Sequence, residues 1–220
     1  MEHRFKLSKE STTPPVDATE YRSVVGSLRY LVHTRPDLTF SVGYISRFME
    51  APTEEHRTAV KHILRYIPGT LYLGCKYGRG DGEPELTGYS GCDLGSDVDT
   101  RKSTSGTLFL LGGGVKTWQS QKQKIVVLSS CESEEVEERA VRLKVDNKSA
   151  ISLAKNPVMH DRSKHIELRY HFIRDCVETK KIELEYVATE FQLADMLTKP
   201  LGRVRLQQLR SSIGMIEATP

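Results

Sequence analysis

Carboxylates beside the ends of regular elements are the residues of this chain best placed to do chemistry. Asp93 follows the alternating stretch LTGYSGC; Glu132, Glu134, Glu135, Glu137 and Glu138 crowd into CESEEVEER; Asp146 ends VRLKVD; and Asp195 lies in LADM. Hydrolysis of a phosphodiester by two metal ions needs about three or four carboxylates around ions about 3.5–4 Å apart. Magnesium suits such a centre because it prefers hard oxygen ligands and keeps several waters. Acids from separate strands and helices converge on an ion pair only through a tertiary fold. The competing reading is solvated surface charge, which is what charge clusters usually are.

The elements that would have to position these acids fall into two groups. Up to about Tyr77 the pattern is helical: EYRSVVGSLRYLVH spaces Val24, Val25, Leu28, Leu31 and Val32 along one face. Pro36 suits a helix start, and Thr53 caps PTEEHRTAVKHILRYI, with a stripe of Ala59, Ile63, Leu64 and Ile67. The polar, glycine-rich YGRGDGEPE is a linker, so the sequence predicts a helical unit over 1–77, a linker over 78–85 and a second unit over 86–220. After it the period changes to two. Leu86–Leu94, Thr107–Leu111 and Val115–Val127 read as an antiparallel meander. VRLKVDN reads as a buried strand, KSAISLAKN and HIELRYHFIRDCVETKK as helices, IELEYVATE as a last strand, and FQLADMLTKPLGRVRLQQLRSSIGM as helical on both sides of Pro200. This order predicts an α/β fold with a mixed sheet.

Bulk properties are compatible with that reading. The 220 residues are 38% hydrophobic and 28% charged, which permits a core and argues against global disorder. A net charge of +3 permits a polyanionic partner without requiring one. Cys75, Cys92, Cys131 and Cys176 form no CxxC pair and read as reduced thiols of an intracellular protein, cytoplasmic or nuclear. MEHRFKLSKEST lacks an apolar core, so no secretory leader is expected. No apolar run approaches membrane-spanning length.

Longer motifs add a family resemblance. EYRSVVGSLRYLVHTRPDLTFSVGYISRFMEAPTEEHRTAVKHILRYIPGT resembles the thumb and connection region of a copia-type retrotransposon reverse transcriptase. GYSGCDLGSDVDTRKSTSGTLFLLGGGVKTWQSQKQKIVVLSSCESEE and KVDNKSAISLAKNPVMHDRSKHIELRYHFIRDCVETKKIELEYVATEFQLADMLTKPL resemble the ribonuclease H domain of the same polyprotein. The resemblance implies a ribonuclease-H-like fold, the RNA strand of an RNA–DNA hybrid (or other nucleic acid) as partner, two magnesium ions, and other parts of the polyprotein as neighbours. It also implies metal ligands at Asp93, Glu134, Asp146 and Asp195, with Glu134, Asp146 and Asp195 as catalytic acids.

Two departures from the family pattern predict impaired cleavage. The first-strand motif resembles YSDADWAG, and its first aspartate falls on Gly91 here, leaving only the second as Asp93. A long helix that family members carry after the glutamate motif is reduced to VEERA, at most about a turn and a half at ~1.5 Å per residue, where a crossover needs about a dozen residues or more. The expected consequence is exposed sheet surface, reduced stability or a rearranged core. No tyrosine followed by paired aspartates occurs, so polymerisation is not expected of this chain. A non-catalytic binding protein, or a relic without a role, is the alternative.

Basic residues extend the reading. Arg101, Lys102, Lys122 and Lys124 are candidates for contacts to a nucleic-acid backbone, with solvated turns as the alternative. His165 packs or caps a helix or touches phosphate. Trp118 anchors a core or stacks on a base. Tyr186 packs.

Overall fold

The computed structural model describes residues 6–78, 84–93, 95–123, 140–155 and 174–218. The chain is α/β: helices with a mixed five-stranded sheet and a separate two-stranded one. In the N-terminal part, α1 (Ala18–Leu31), α2 (Thr39–Ile45) and α3 (Glu54–Tyr66) follow one another with single 3-10 turns between and after them. Asp17 starts α1 by accepting from the N–H groups of Thr19 and Glu20 at 2.7 and 3.2 Å, which satisfies two of the free donors of the first turn. Thr53 and His56 form a capping box at the start of α3. Tyr21, Val25, Leu28, Phe40, Ile45, Phe48, Ala59, Val60 and Ile63 close a core between these helices. The expected stripe on α3 is corrected at one position. Leu64 is 43% exposed, and Val60 turns inward with Ala59 and Ile63.

The larger sheet has the order β4 (Gly114–Lys122), β3 (Thr104–Leu111), β2 (Leu86–Cys92), β5 (Val141–Val145), β6 (Ile182–Tyr186). β2–β3 and β3–β4 are antiparallel, whereas β2–β5 and β5–β6 are parallel, so β2 lies beside VRLKV and the sheet is mixed as expected. β5 is half-buried at Val141, Leu143 and Val145 rather than fully buried, because Arg142 and Lys144 alternate with the apolar residues and give the strand a polar face. β2 ends at Cys92, and the Leu94 expected in it lies outside the described residues, as do 124–127 of the expected fourth strand. α4 (Lys148–Lys155) forms where expected; of the longer predicted helix only 174–181 are described, helical over 174–178 and in a turn after that.

The LADML segment is a 3-10 helix, Leu193–Leu197, followed after Pro200 by α5 (Arg203–Ser212). The 3-10 helix lies directly on the β2–β3 face. Gly106 permits this approach. A Cβ there would stand 2.8 Å from Leu197 Cβ and Thr198 Cγ2 and 3.0 Å from the Ala194 carbonyl. Leu108, Val115, Leu193, Met196, Leu197, Leu209 and Ile213 form the second core.

One pairing had no local signal. β1 (Leu73–Cys75) pairs antiparallel with β7 (Met215–Glu217), joining residues before the glycine-rich segment to the far end of the chain. Further ties join the N-terminal helices to the later part of the chain. Trp118 Nε1 donates to the Val32 carbonyl at 3.1 Å, and Arg210 donates to the Tyr66 hydroxyl at 2.5 Å. Among the described residues, no helix is long and apolar enough to cross a membrane.

Candidate functional site

The C-terminal ends of β2 and β5 and the Leu193–Leu197 turn meet at one end of the sheet. Register pairs Ser90 with Val145, so Gly91 and Asp146 come one step further on, side by side on neighbouring strands. An acid at position 91 would therefore stand beside Asp146, about 4.8 Å away along the hydrogen-bonding direction. The backbone leaves room for it. A Cβ at 91 would meet Ala194 Cβ at 3.7 Å and Gln192 Cγ and Cδ at 3.8 Å, which is ordinary contact. The sheet thus brings position 91, Asp146 and the turn carrying Asp195 into one neighbourhood, but the carboxylate at 91 is missing.

Asp93 does not replace it. It lies two residues along, displaced by roughly 6.5–7 Å on an extended chain. Its carboxylate is buried and already partnered: Oδ1 accepts from the Thr104 N–H at 2.6 Å, and Oδ2 accepts from the Ser96 hydroxyl. Its own N–H donates to the Thr104 carbonyl at 3.1 Å. Asp93 therefore closes the base of the 93–104 loop. Asp195 is buried as well, with Lys199 Nζ 2.8 Å from Oδ1 and Arg205 Nη2 4.0 Å from Oδ2. Asp146 is half-buried, with Gln192 Nε2 3.5 Å from its Oδ1. Desolvation, and then the charges of Asp93 and Asp146, push the nearby Cys92 thiol up.

Among the described residues, no group of three or more His, Cys, Asp or Glu side chains is arranged to hold a metal ion. The described acids do not fit a two-magnesium centre: Asp93 and Asp195 spend their oxygens on protein donors, and position 91 offers none. The physical reason is local: the loop turns back at Asp93 and hands its carboxylate two donors. Glu134 lies outside the described residues.

The basic candidates differ in placement. Arg101 and Lys102 are exposed on the 93–104 loop, Arg101 at a positive φ of 56°. Lys122 is committed to Asp97 at 2.8 Å, and Lys124 and His165 lie outside the described residues. Trp118 is half-buried and tied to the helical unit through its indole N–H, an anchor as one of its readings held. Tyr186 is exposed rather than packed, with Lys148 Nζ 4.5 Å from its ring centre.

Two further residues, Asp97 and Gln192, tie much of this region together. Asp97 is buried and gathers Arg47 from the helical unit at 3.1 Å, Lys122 at 2.8 Å, and the Thr100 hydroxyl and N–H at 2.7 and 2.9 Å. Burial alone would raise its pKa, but the Lys122 and Thr100 hydrogen bonds outweigh that and hold it at about 2. Its bonds to Thr100 are local, whereas Lys122 and Arg47 lie 25 and 50 residues away in the sequence, so no local pattern announces them. Gln192 is fully buried between Ser90, Asp146 and Ala194, and an amide before LADM carries no pattern that announces this.

No family model and no solved structure matches the chain. Curated relatives do. The chain is 42% identical, over 98% of its length, to the retrovirus-related Pol polyprotein from transposon RE1 of Arabidopsis thaliana, of which the match spans 16%. It is 39% identical, over 96% of its length, to the Pol polyprotein from transposon TNT 1-94 of Nicotiana tabacum, of which the match spans 18%. It is also 47% identical, over 52% of its length, to secreted RxLR effector protein 161 of Plasmopara viticola, of which the match spans 80%. The chain spans about one-sixth of the Pol relatives it matches. With near-complete coverage at this level of identity, the chain belongs to the copia-type family of retrovirus-related transposon Pol polyproteins.

Proposed function

We propose that the chain is the ribonuclease-H-like segment of such a polyprotein, able to engage nucleic acid but strongly impaired in cleaving the RNA strand of an RNA–DNA hybrid. The observation that carries this is the sheet end. The position beside Asp146 is Gly91, and the next acid, Asp93, is already bound to Thr104 and Ser96. In-line attack requires reacting groups placed closely, since misplacement of about 1 Å costs roughly 10²-fold. The mixed sheet and the transposon relatives support the ancestry. The alignment to the RE1 polyprotein supports the internal deletion: it runs over 237 positions against 220 residues in this chain, so at least 17 positions of that relative have no counterpart here. Exposed Arg101 and Lys102 on the loop next to Asp93 are the groups proposed to meet the phosphate backbone. An intracellular setting, with other polyprotein segments as neighbours, follows from the same ancestry.

The test is magnesium-dependent cleavage of an RNA–DNA hybrid by the purified chain and by Asp146→Asn. The expected result is a rate at least about a hundredfold below that of an intact family member and unchanged in Asp146→Asn. Robust cleavage that needs magnesium and disappears in Asp146→Asn would overturn the proposal. A second reading, a stand-alone protein acting through binding only, is favoured by one observation. About half of this chain is similar to most of a protein named as an effector, so a sequence of this kind can make up most of another protein. Hybrid binding without any cleavage would fit it.

A further inference from the structure

Gln192 is a polar side chain with no exposed surface, placed where three acid-bearing elements meet. Nε2 donates to the Ser90 carbonyl at 3.0 Å, at the end of β2, and stands 3.5 Å from Asp146 Oδ1, at the end of β5. Oε1 accepts from the Ala194 N–H at 3.2 Å and so caps the 3-10 turn that carries Asp195. These partners determine which way the amide points. Reversed, it would set oxygen against the Ser90 carbonyl and NH2 against the Ala194 N–H. Gly91 lies against it: a Cβ there would meet Gln192 Cγ and Cδ at 3.8 Å, ordinary contact. The positive end of an amide dipole therefore lies between a carbonyl oxygen and a carboxylate oxygen. A hard cation would hold the same two oxygens in a metal centre.

We propose that Gln192 is a positioning residue that takes the place of a cation: its amide ties the ends of β2 and β5 to the Asp195-bearing turn and keeps this sheet end assembled without metal. A half-buried carboxylate is stabilised by a donor, and the Gln192 amide supplies one at a sheet end where position 91 offers no metal ligand. The role concerns assembly, and its failure is distinguishable from failure of the cleavage assay because the readout is thermal stability.

The experiment is thermal unfolding of the full chain in EDTA and in millimolar magnesium, for the wild type, Gln192→Ala, Gln192→Glu and Gln192→Glu combined with Asp146→Asn. Wild type should give the same Tm in both buffers. Gln192→Ala should lose at least about 3 °C in both. Gln192→Glu sets a carboxylate against Asp146 and the Ser90 carbonyl; it should fall further in EDTA and recover at least half of that loss in magnesium. The double variant should lose the magnesium response. A wild-type Tm that rises in magnesium, a Gln192→Ala protein as stable as wild type, or a Gln192→Glu protein indifferent to magnesium would each overturn the proposal. If Gln192→Ala fails to fold, the Gln192→Glu pair still decides it.

Discussion

Replacing Asp97 by asparagine should loosen the joint between the helical unit and the sheet. Asp97 is buried, and its two cationic partners come from different parts of the chain: Arg47 follows α2 and Lys122 ends β4. Removing the charge leaves both cations without their anion, while the amide oxygen can still accept from Thr100. Breaking a buried pair by removing one partner costs about 3–5 kcal/mol, and the partial exposure of Lys122 brings this to about 2–4 kcal/mol. A second signature is pH. The folded pKa of about 2 lies below the ordinary 3.8, so the charge stabilises the fold above pH 4, and this contribution disappears as pH falls towards 2. At 1.36 kcal/mol per unit the linkage is worth about 2 kcal/mol, or nearer 1 after screening. Urea unfolding followed through Trp118 fluorescence measures both, since that indole bridges the two parts of the chain through Val32. The wild-type advantage should be largest at pH 7 and narrow below pH 4. An Asp97→Asn protein within about 0.5 kcal/mol of wild type at pH 7, or an advantage that stays constant down to pH 2.5, would refute the reasoning.

Gly106→Ala should destabilise by about 1–3 kcal/mol or more, because its Cβ would stand 2.8 Å from Leu197 and Thr198 side-chain carbons and 3.0 Å from a backbone carbonyl; urea unfolding measures it. His56 is fully buried, stacks on Phe48, takes the Thr53 N–H at Nδ1 and meets the Ser8 carbonyl at Nε2, which leaves it neutral. Burial, the largest influence, lowers its pKa, so stability present above the ordinary histidine value should be lost as pH falls through the lowered one. His56→Ala should remove that part of the pH profile and cost about 2–3 kcal/mol at pH 7, measured by urea titration across pH.

The helices, the β2–β3–β4 meander, the parallel strand ending at Asp146 and the helical stretches around Pro200 were legible because hydrophobic period and punctuation are local properties of the chain. The roster of acids and the vacancy at Gly91 were equally plain, since they are matters of residue identity. Where each acid spends its oxygens was not. Asp93 reads as a ligand in one dimension and closes a loop in three, because its donors are Ser96 and the Thr104 N–H eleven residues on. Asp97 becomes a joint, because Arg47 arrives from fifty residues upstream. β1 and β7 are three residues each, too short to show a period, and exist only because the fold brings residues 73–75 beside residues 215–217. Hydrogen bonds and ion pairs act over a few ångströms, so the groups that neutralise a carboxylate are chosen by folded proximity, which residue order alone does not encode.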